Sequence, residues 1–487
     1  MALSNTEVYK RTINSSLWMT ADILIQRILG VVSFLILSRL ILPEAYGIMA
    51  SVTIVIGFLN TISQTGFEAA LIQSNDEIKD YLNKVWTLNI IKSIGIFLII
   101  WLIAPFAAKF FNVEGYVDVI RFSGLFVMAE GFSNIGHVYF SKDINFKMIF
   151  FRDLGMPIAY MITALIGVQF ISPVLALASA TLASYSWATI STYFLSPYRP
   201  RLDFHFHKLR KLFKYSSWVI GSNLANYINS AIDSTFLAHL LGPQKLGIYS
   251  KARDFSVIPS SYISQIANKI GFPSISKVQA DKESVRNALS KLFDITILIS
   301  LPFLAFIFTQ ANNLISLVLE AEWLDIVFPL KFLMIAMTIR GFIIITYPVF
   351  NGMGKPRIYF NSILIQIISV FIGLWFMAPK YGISGAAYAI IISTSLCFIY
   401  TTFNAVKLTD LKLRTLIPCT FAVCIATLVA GLLSVAYNRA IGFGNIFEYA
   451  VAMVGIGIIY IAIIFMMWKV FKIGPGETLR SILQNII

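Results

Sequence analysis

Apolar residues run along this chain in windows of about 20, long enough to cross ~30 Å of hydrocarbon as helices. Fourteen such windows are readable, at 14–38, 45–67, 84–106, 116–138, 150–170, 174–195, 214–238, 246–268, 289–310, 326–349, 358–378, 382–404, 414–436 and 447–468. Between them stand LILPEA, QFISP, LLGPQ and PKYGISG, with Pro and Gly where helices stop. Windows this numerous and evenly spread suit an all-α bundle in lipid, where every backbone group must be satisfied within its own segment.

The polar stretches carry an alternation of their own. Every second connection is basic: Lys10 and Arg11; Lys79 and Lys84; Lys142, Lys147 and Arg152; Arg199 to Lys214; Lys269 to Lys291; Lys355 and Arg357; Lys407, Lys412 and Arg414; and Lys469, Lys472 and Arg480. The opposite connections hold only Arg39, Lys109, Lys245, Lys380 and Arg439. The asymmetry predicts both termini in the cytoplasm. It also accounts for the net charge of +14 as a topogenic signal, so no nucleic-acid partner is expected. Composition agrees: 57% hydrophobic against 13% charged residues, where soluble chains carry roughly 25% charge. The first apolar run holds Asp22, Gln26 and Arg27, so it does not read as a signal peptide. Cys397, Cys419 and Cys424 fall in late apolar windows and read as small core residues.

One turn is written twice. LILPEAYGI at 40–48 returns as LLGPQKLGI at 240–248, with Pro43 on Pro243, Gly47 on Gly247 and Ile48 on Ile248. Without a gap, Trp18 then falls on Trp218, Leu24 on Leu224 and Ile28 on Ile228. The pattern predicts a duplicated bundle: a six-helix lobe at 1–195, a basic cytoplasmic linker at 196–213, a second six-helix lobe at 214–404, and two extra helices with a cytoplasmic tail at 405–487. An even number of helices per repeat makes the halves parallel, related by an axis along the membrane normal.

These residues also carry a resemblance. SRLILPEAYGI, GFEAALIQSNDEIKDYLNKVW at 66–86 and FSKDINFK at 140–147 resemble the polysaccharide transporter branch of the MOP superfamily. So do AHLLGPQKLGIYSKA, FPSISKVQADKESVRNALSKLF at 272–293, NGMGKPRI and PKYGISGAA, in that order over about the first 400 residues. The resemblance is to the Wzx-type flippases of undecaprenyl-pyrophosphate-linked oligosaccharides. It implies two six-helix lobes around a central cavity that alternates between the faces of a bacterial inner membrane, with a basic lining for the lipid pyrophosphate. The substrate and membrane lipids, together with other polysaccharide assembly proteins, are the partners it implies.

The residues themselves point to a site through charges inside the windows, which hydrocarbon penalises by at least ~2.5 kcal/mol each. Arg27 lies near the middle of the first window, with Asp22 and Gln26 sharing a face. The plainer reading of Arg27 is an internal pairing with an aspartate. Asn223, Asn226, Asn229, Ser230 and Asp233 make one polar face of the seventh window, and the duplication sets Gln26 opposite Asn226. Lys251, Arg253 and Asp254 lie in the eighth window, and Arg340 deep in the tenth. The cations Arg27, Lys251, Arg253 and Arg340 outnumber Asp22, Asp233 and Asp254, and such a surplus favours an anionic, phosphate-bearing substrate. The three aspartates are the candidates for coupling to a H⁺ or Na⁺ gradient.

Other features read as structural. His205 and His207 have no ligand cluster beside them, so no metal is expected. GMGKPR lacks phosphate-loop spacing, and no cofactor is expected. Trp18 and Trp218 read as interfacial anchors, and Trp323 as a gate or a further anchor. A multidrug exporter of related fold needs an acidic surplus instead. A polysaccharide polymerase needs a catalytic acid or base on a substantial outer loop, and the outer loops are short. The expectation is therefore a transporter and not an enzyme.

Overall fold

The computed structural model describes residues 5–63, 67, 71, 79–142, 146–205, 210–279, 281–440 and 446–471. Part of the 66–86 stretch, positions 143–145, His207 and the tail from 472 lie outside the described residues, as do the side chains of Lys10, Arg11 and Trp218. Among the described residues the chain is helical, and nine helices are long and apolar enough to cross a membrane. It folds as two compact units, Met1–Gly247 and Ile248–Ile487. This spatial division is not the repeat division, because the helix that opens the second repeat clusters with the first unit.

Unit 1 comprises α1 (Asn5–Leu37), α2 (Pro43–Ser63), α3 (Lys79–Phe110), α4 (Val117–Gly131), α5 (Val138–Lys142), α6 (Phe146–Gly167), α7 (Pro173–Leu195) and the first part of α8 (Arg210–Ser256). Within it α3 packs on α4, α1 on α6, and α7 on both α4 and α6. Local chemistry sets the ends. Ser172 caps α7, its Oγ accepting the Leu175 N–H at 3.4 Å, with Pro173 supplying a first turn that needs no donor. The 116–138 window breaks after Gly131 because Asn134 diverts the backbone. Its own N–H goes to Thr192 Oγ1 (2.9 Å), while its side chain accepts from Gly136 N (2.9 Å) and donates to the Tyr198 carbonyl (2.7 Å).

Along α3, Ile91, Ile94, Leu98, Leu102 and Phe106 are all exposed at helical spacing. Such an apolar stripe is at ease only against lipid.

Unit 2 continues from α8 into α9 (Ile258–Ile266) and α10 (Phe272–Lys277). It then adds α11 (Lys282–Val318), α12 (Val327–Ile344), α13 (Tyr347–Gly352), α14 (Pro356–Thr409), α15 (Ile417–Ala440) and α16 (Ile446–Phe471). Here α12 packs on α11 and α14, and α15 on α11 and α16. The 246–268 window splits at Pro259 and the 326–349 window at Pro348, since proline cannot donate to the preceding turn. The PKYGISG turn is a kink inside α14, where Gly382 takes φ 57°. Asp281 caps α11 by accepting the N–H groups of Glu283 and Ser284. Gln310 of α11 is fully buried and bonds Ser434 and Asn438 of α15, tying the two helices through polar contacts in an apolar setting. Trp323 departs from expectation. It is 0% exposed, a core side chain of the short 3₁₀ turn Ala321–Ile326, and so not a surface anchor.

Candidate functional site

The duplicated turn is a structural device. Gly242 takes φ 76° and breaks α8, so Pro243 opens a new helical run as Pro43 opens α2. The two turns meet. A Cβ placed on Gly47 would lie 1.7 Å from the Pro243 carbonyl oxygen, and one on Gly247 would lie 1.8 Å from that of Pro43. Only glycine lets these backbones approach so closely, and the contact is reciprocal.

Two further contacts hold the first part of α8. The Tyr227 hydroxyl donates to the Ile54 carbonyl (2.6 Å), its ring lying against Gly57. At the far end His239 stacks on Phe110 at 4.6 Å with Nδ1 2.7 Å from the Phe110 carbonyl, and Asn112 Nδ2 donates to the His239 carbonyl (2.8 Å).

Of the residues singled out from sequence in unit 1, Asp22 and Gln26 are brought together. Gln26 Nε2 donates to Asp22 Oδ1 at 2.9 Å. Asp22 also lies in the field of Arg152 and Asp153 of α6, which pair with each other at 2.6 Å. Arg27 is exposed, and among the described residues no carboxylate pairs with it. It lies about 15 Å from the C-terminal end of α1, near mid-span. On α8, Asn226 is exposed, while Asn223, Asn229 and Ser230 are half-buried. Asp233 is buried and accepts the backbone N–H of Ser234 at 2.7 Å. Trp18 packs on Phe150 and Phe151 with the Lys147 ammonium 5.9 Å above its ring.

In unit 2, Lys251 Nζ pairs with Asp254 Oδ2 at 3.0 Å, one turn along α8. Arg253 is half-buried beside them. Arg340 of α12 is half-buried, and its charge reaches Tyr347 and Cys397.

Sequence reading missed several groups. Lys92, Glu130, Asp153 and Asp294 all stand inside apolar windows, where the rule that singled out Arg27 applies to them equally. Glu130 of α4 is exposed, its Oε2 accepting from Asn60 Nδ2 of α2 at 3.5 Å. The linker was read only as a basic stretch, yet its first part is laid down on α3 as a strap. Asn83 Oδ1 accepts from the Tyr198 hydroxyl (2.7 Å) and the Arg201 N–H (2.9 Å), and Thr87 Oγ1 accepts the Asp203 N–H (2.9 Å). Lys84, almost buried, pairs with Asp203 at 2.9 Å. The His205 N–H, the Lys84 ammonium and the His205 ring hold the Asp203 carboxyl well below the usual carboxylate range.

Comparison with known proteins accords with this architecture. Lipid II flippase MurJ in its inward closed conformation matches with a TM-score of 0.72, over 93% of this chain and 99% of that one, at 14% identity. Fold and membrane helices together define a multi-pass membrane protein that shares its helical fold with MurJ and with a multidrug resistance MATE family transporter in its inward-facing conformation, the latter at a TM-score of 0.55 and 13% identity over 81% of this chain and 99% of that one. A family model described as "Polysaccharide biosynthesis protein" matches residues 36–328. The chain belongs to that family. An uncharacterized membrane protein in the cps region of Klebsiella pneumoniae is 24% identical over 408 residues, 82% of each chain. The lipopolysaccharide biosynthesis protein WzxC of Escherichia coli (strain K12) is 22% identical over 334 residues, 68% of each chain.

Proposed function

We propose that this protein flips undecaprenyl-pyrophosphate-linked oligosaccharide repeat units from the cytoplasmic to the periplasmic leaflet of a bacterial inner membrane, for surface polysaccharide assembly. The observation that carries this reading is Arg27, an exposed guanidinium near mid-span in a chain of this family, with no carboxylate partner among the described residues. Hydrocarbon does not tolerate an exposed charge there, so Arg27 faces a wet interior, and a guanidinium fork suits phosphate oxygens. Within unit 2, Arg253, Lys251 and Arg340 are the further cationic groups that this reading assigns to an anionic substrate. Asp22, Asp233 and Asp254 take up the coupling H⁺ or Na⁺, and transport follows because ion and substrate bias one two-state equilibrium. The parallel six-helix repeats supply the two states.

The test is reconstitution. Proteoliposomes loaded with lipid-linked repeat units should show them passing to the leaflet reached by an added lectin, at a rate that falls on Arg27→Glu. Movement of hydrophobic cations instead would favour a multidrug exporter, and new glycosidic bonds a polymerase. Reporter fusions at Pro200 and Lys282 should both report cytoplasm, and a periplasmic signal from either overturns the orientation.

A further inference from the structure

We propose that Arg121, stacked on Trp101 at one membrane boundary of unit 1, holds the phosphate of a bilayer phospholipid. The site stands apart from the cationic groups assigned to the substrate, and it depends neither on the transport reading nor on the orientation of the chain.

Position is the first argument. Where α4 packs on α3, the Arg121 guanidinium carbon lies 4.5 Å from the centre of the Trp101 ring. Trp101 is 48% exposed, and Leu98 and Leu102 beside it are exposed too, so this flank of α3 lies against lipid. Helix α3 has 32 residues. At ~1.5 Å per residue it is about 48 Å long, against ~30 Å of hydrocarbon. Centred in the bilayer it emerges by about 9 Å at each end, which sets Trp101, about 14 Å from the Phe110 end, about 5 Å inside the boundary. An indole at that level belongs to the interfacial belt, and a long Arg side chain beside it reaches out to the headgroups.

Unmet donors are the second. A guanidinium carries its N–H donors in one plane. Stacking on an indole uses the face of that plane and leaves its edge for acceptors. Among the described residues the chain supplies that edge with one acceptor, Asp118 Oδ1, 3.4 Å from Nη1 and one turn earlier on the same helix. The Asp118 side chain is 96% exposed, so the pair is a loose one. Nε is buried and meets no acceptor among the described residues, and a buried donor left unmade is costly. Phosphate oxygens are the acceptors found at this level of a bilayer, and they match a guanidinium edge two at a time. The exposed Leu98 and Leu102 suit the start of an acyl chain. Asp118 offsets the attraction for net negative charge, so the site reads the phosphate itself and takes zwitterionic and anionic phospholipids alike.

The experiment counts the lipids that the full chain retains in native mass spectrometry after incubation with phosphatidylglycerol, phosphatidylethanolamine or the phosphate-free diglucosyldiacylglycerol. Arg121→Gln should retain one fewer molecule of either phospholipid, its affinity there falling at least about tenfold, the loss expected for a charged hydrogen bond. Retention of the glycolipid should be unchanged, which also shows that the variant is folded. Trp101→Leu should act in the same direction and less strongly. Asp118→Asn, at an exposed position, should tighten both phospholipids by up to about fivefold, because it frees the guanidinium, and it decides the matter even if Arg121→Gln does not fold. Equal phospholipid retention by Arg121→Gln and the unaltered protein overturns the site. So does an equal loss of the glycolipid in a folded Arg121→Gln, which makes Arg121 a packing residue, and so does looser phospholipid binding by Asp118→Asn.

Discussion

The helices that open the two repeats, α1 and the first part of α8, share a following turn and little else. Helix α1 presents an exposed Arg27 beside an Asp22–Gln26 bond, and its neighbours Leu24, Ile28, Val32 and Ile36 are exposed apolar residues. Helix α8 presents amides at the matching depth and is fastened to the rest of unit 1 at three levels, through Tyr227, His239 and Gly247. The two helices share the backbone device, while the side chains along them differ. The turn is tightly constrained because two stretches of backbone meet at it.

The comparison breaks most visibly at Arg27. Arg27→Glu should abolish polymer export while protein remains in the membrane at normal levels, and Arg27→Lys should keep part of it. One position away, where Asn226 of α8 matches Gln26, Asn226→Ala should cost only about fivefold, as a lost neutral hydrogen bond of ~1 kcal/mol does. Equal effects from Arg27→Glu and Asn226→Ala would mean that the two helices have not divided their labour.

The shared turn is probed next. Gly47→Ala and Gly247→Ala should each destabilise the detergent-solubilised protein by about 3 kcal/mol, the upper range for overpacking, because the obstacle is backbone. Their thermal unfolding curves should shift alike, as the contact is reciprocal. Tyr227→Phe, at the position that matches Arg27 of α1, should cost about 1 kcal/mol in the same assay.

The smallest effect is expected at the strap. Lys84→Met should speed amide exchange at Asp203 without changing it along α4. The depressed Asp203 carboxyl contributes fully above its usual value of ~3.9 and is lost only as the pH falls through its lower folded value. The part of strap protection that rests on the ionised Asp203 carboxyl should therefore be level from pH 5 to 8.

Much of this architecture is legible in the sequence because hydrophobic length and Pro/Gly punctuation are local signals. Among the described residues the apolar windows fall largely on helix, nine helices being long and apolar enough to cross a membrane, and the turns at Gly242, Ser172 and Gly382 lie where the sequence placed them. The breaks within windows were not legible where a distant partner makes them, as Thr192 and Tyr198 do for Asn134. The site divides in the same way. Asp22 with Gln26 and Lys251 with Asp254 are neighbours along one helix, and spacing gives them. Glu130 with Asn60, and Lys84 with Asp203, are far apart in sequence, and only the fold joins them. Trp323 misled because an aromatic beside acidic residues reads as surface, whereas the fold around it leaves no surface there.

The strap has a mechanical consequence. It fastens the chain to α3 as far as Asp203, and α8 begins at Arg210. Seven peptide steps at about 3.6 Å each reach at most about 25 Å. That length is a leash on the start of α8. Displacement of this helix end beyond that reach would have to peel the strap from Asn83, Lys84 and Thr87, so the same few hydrogen bonds that look like linker packing also bound how far the start of α8 can lie from α3.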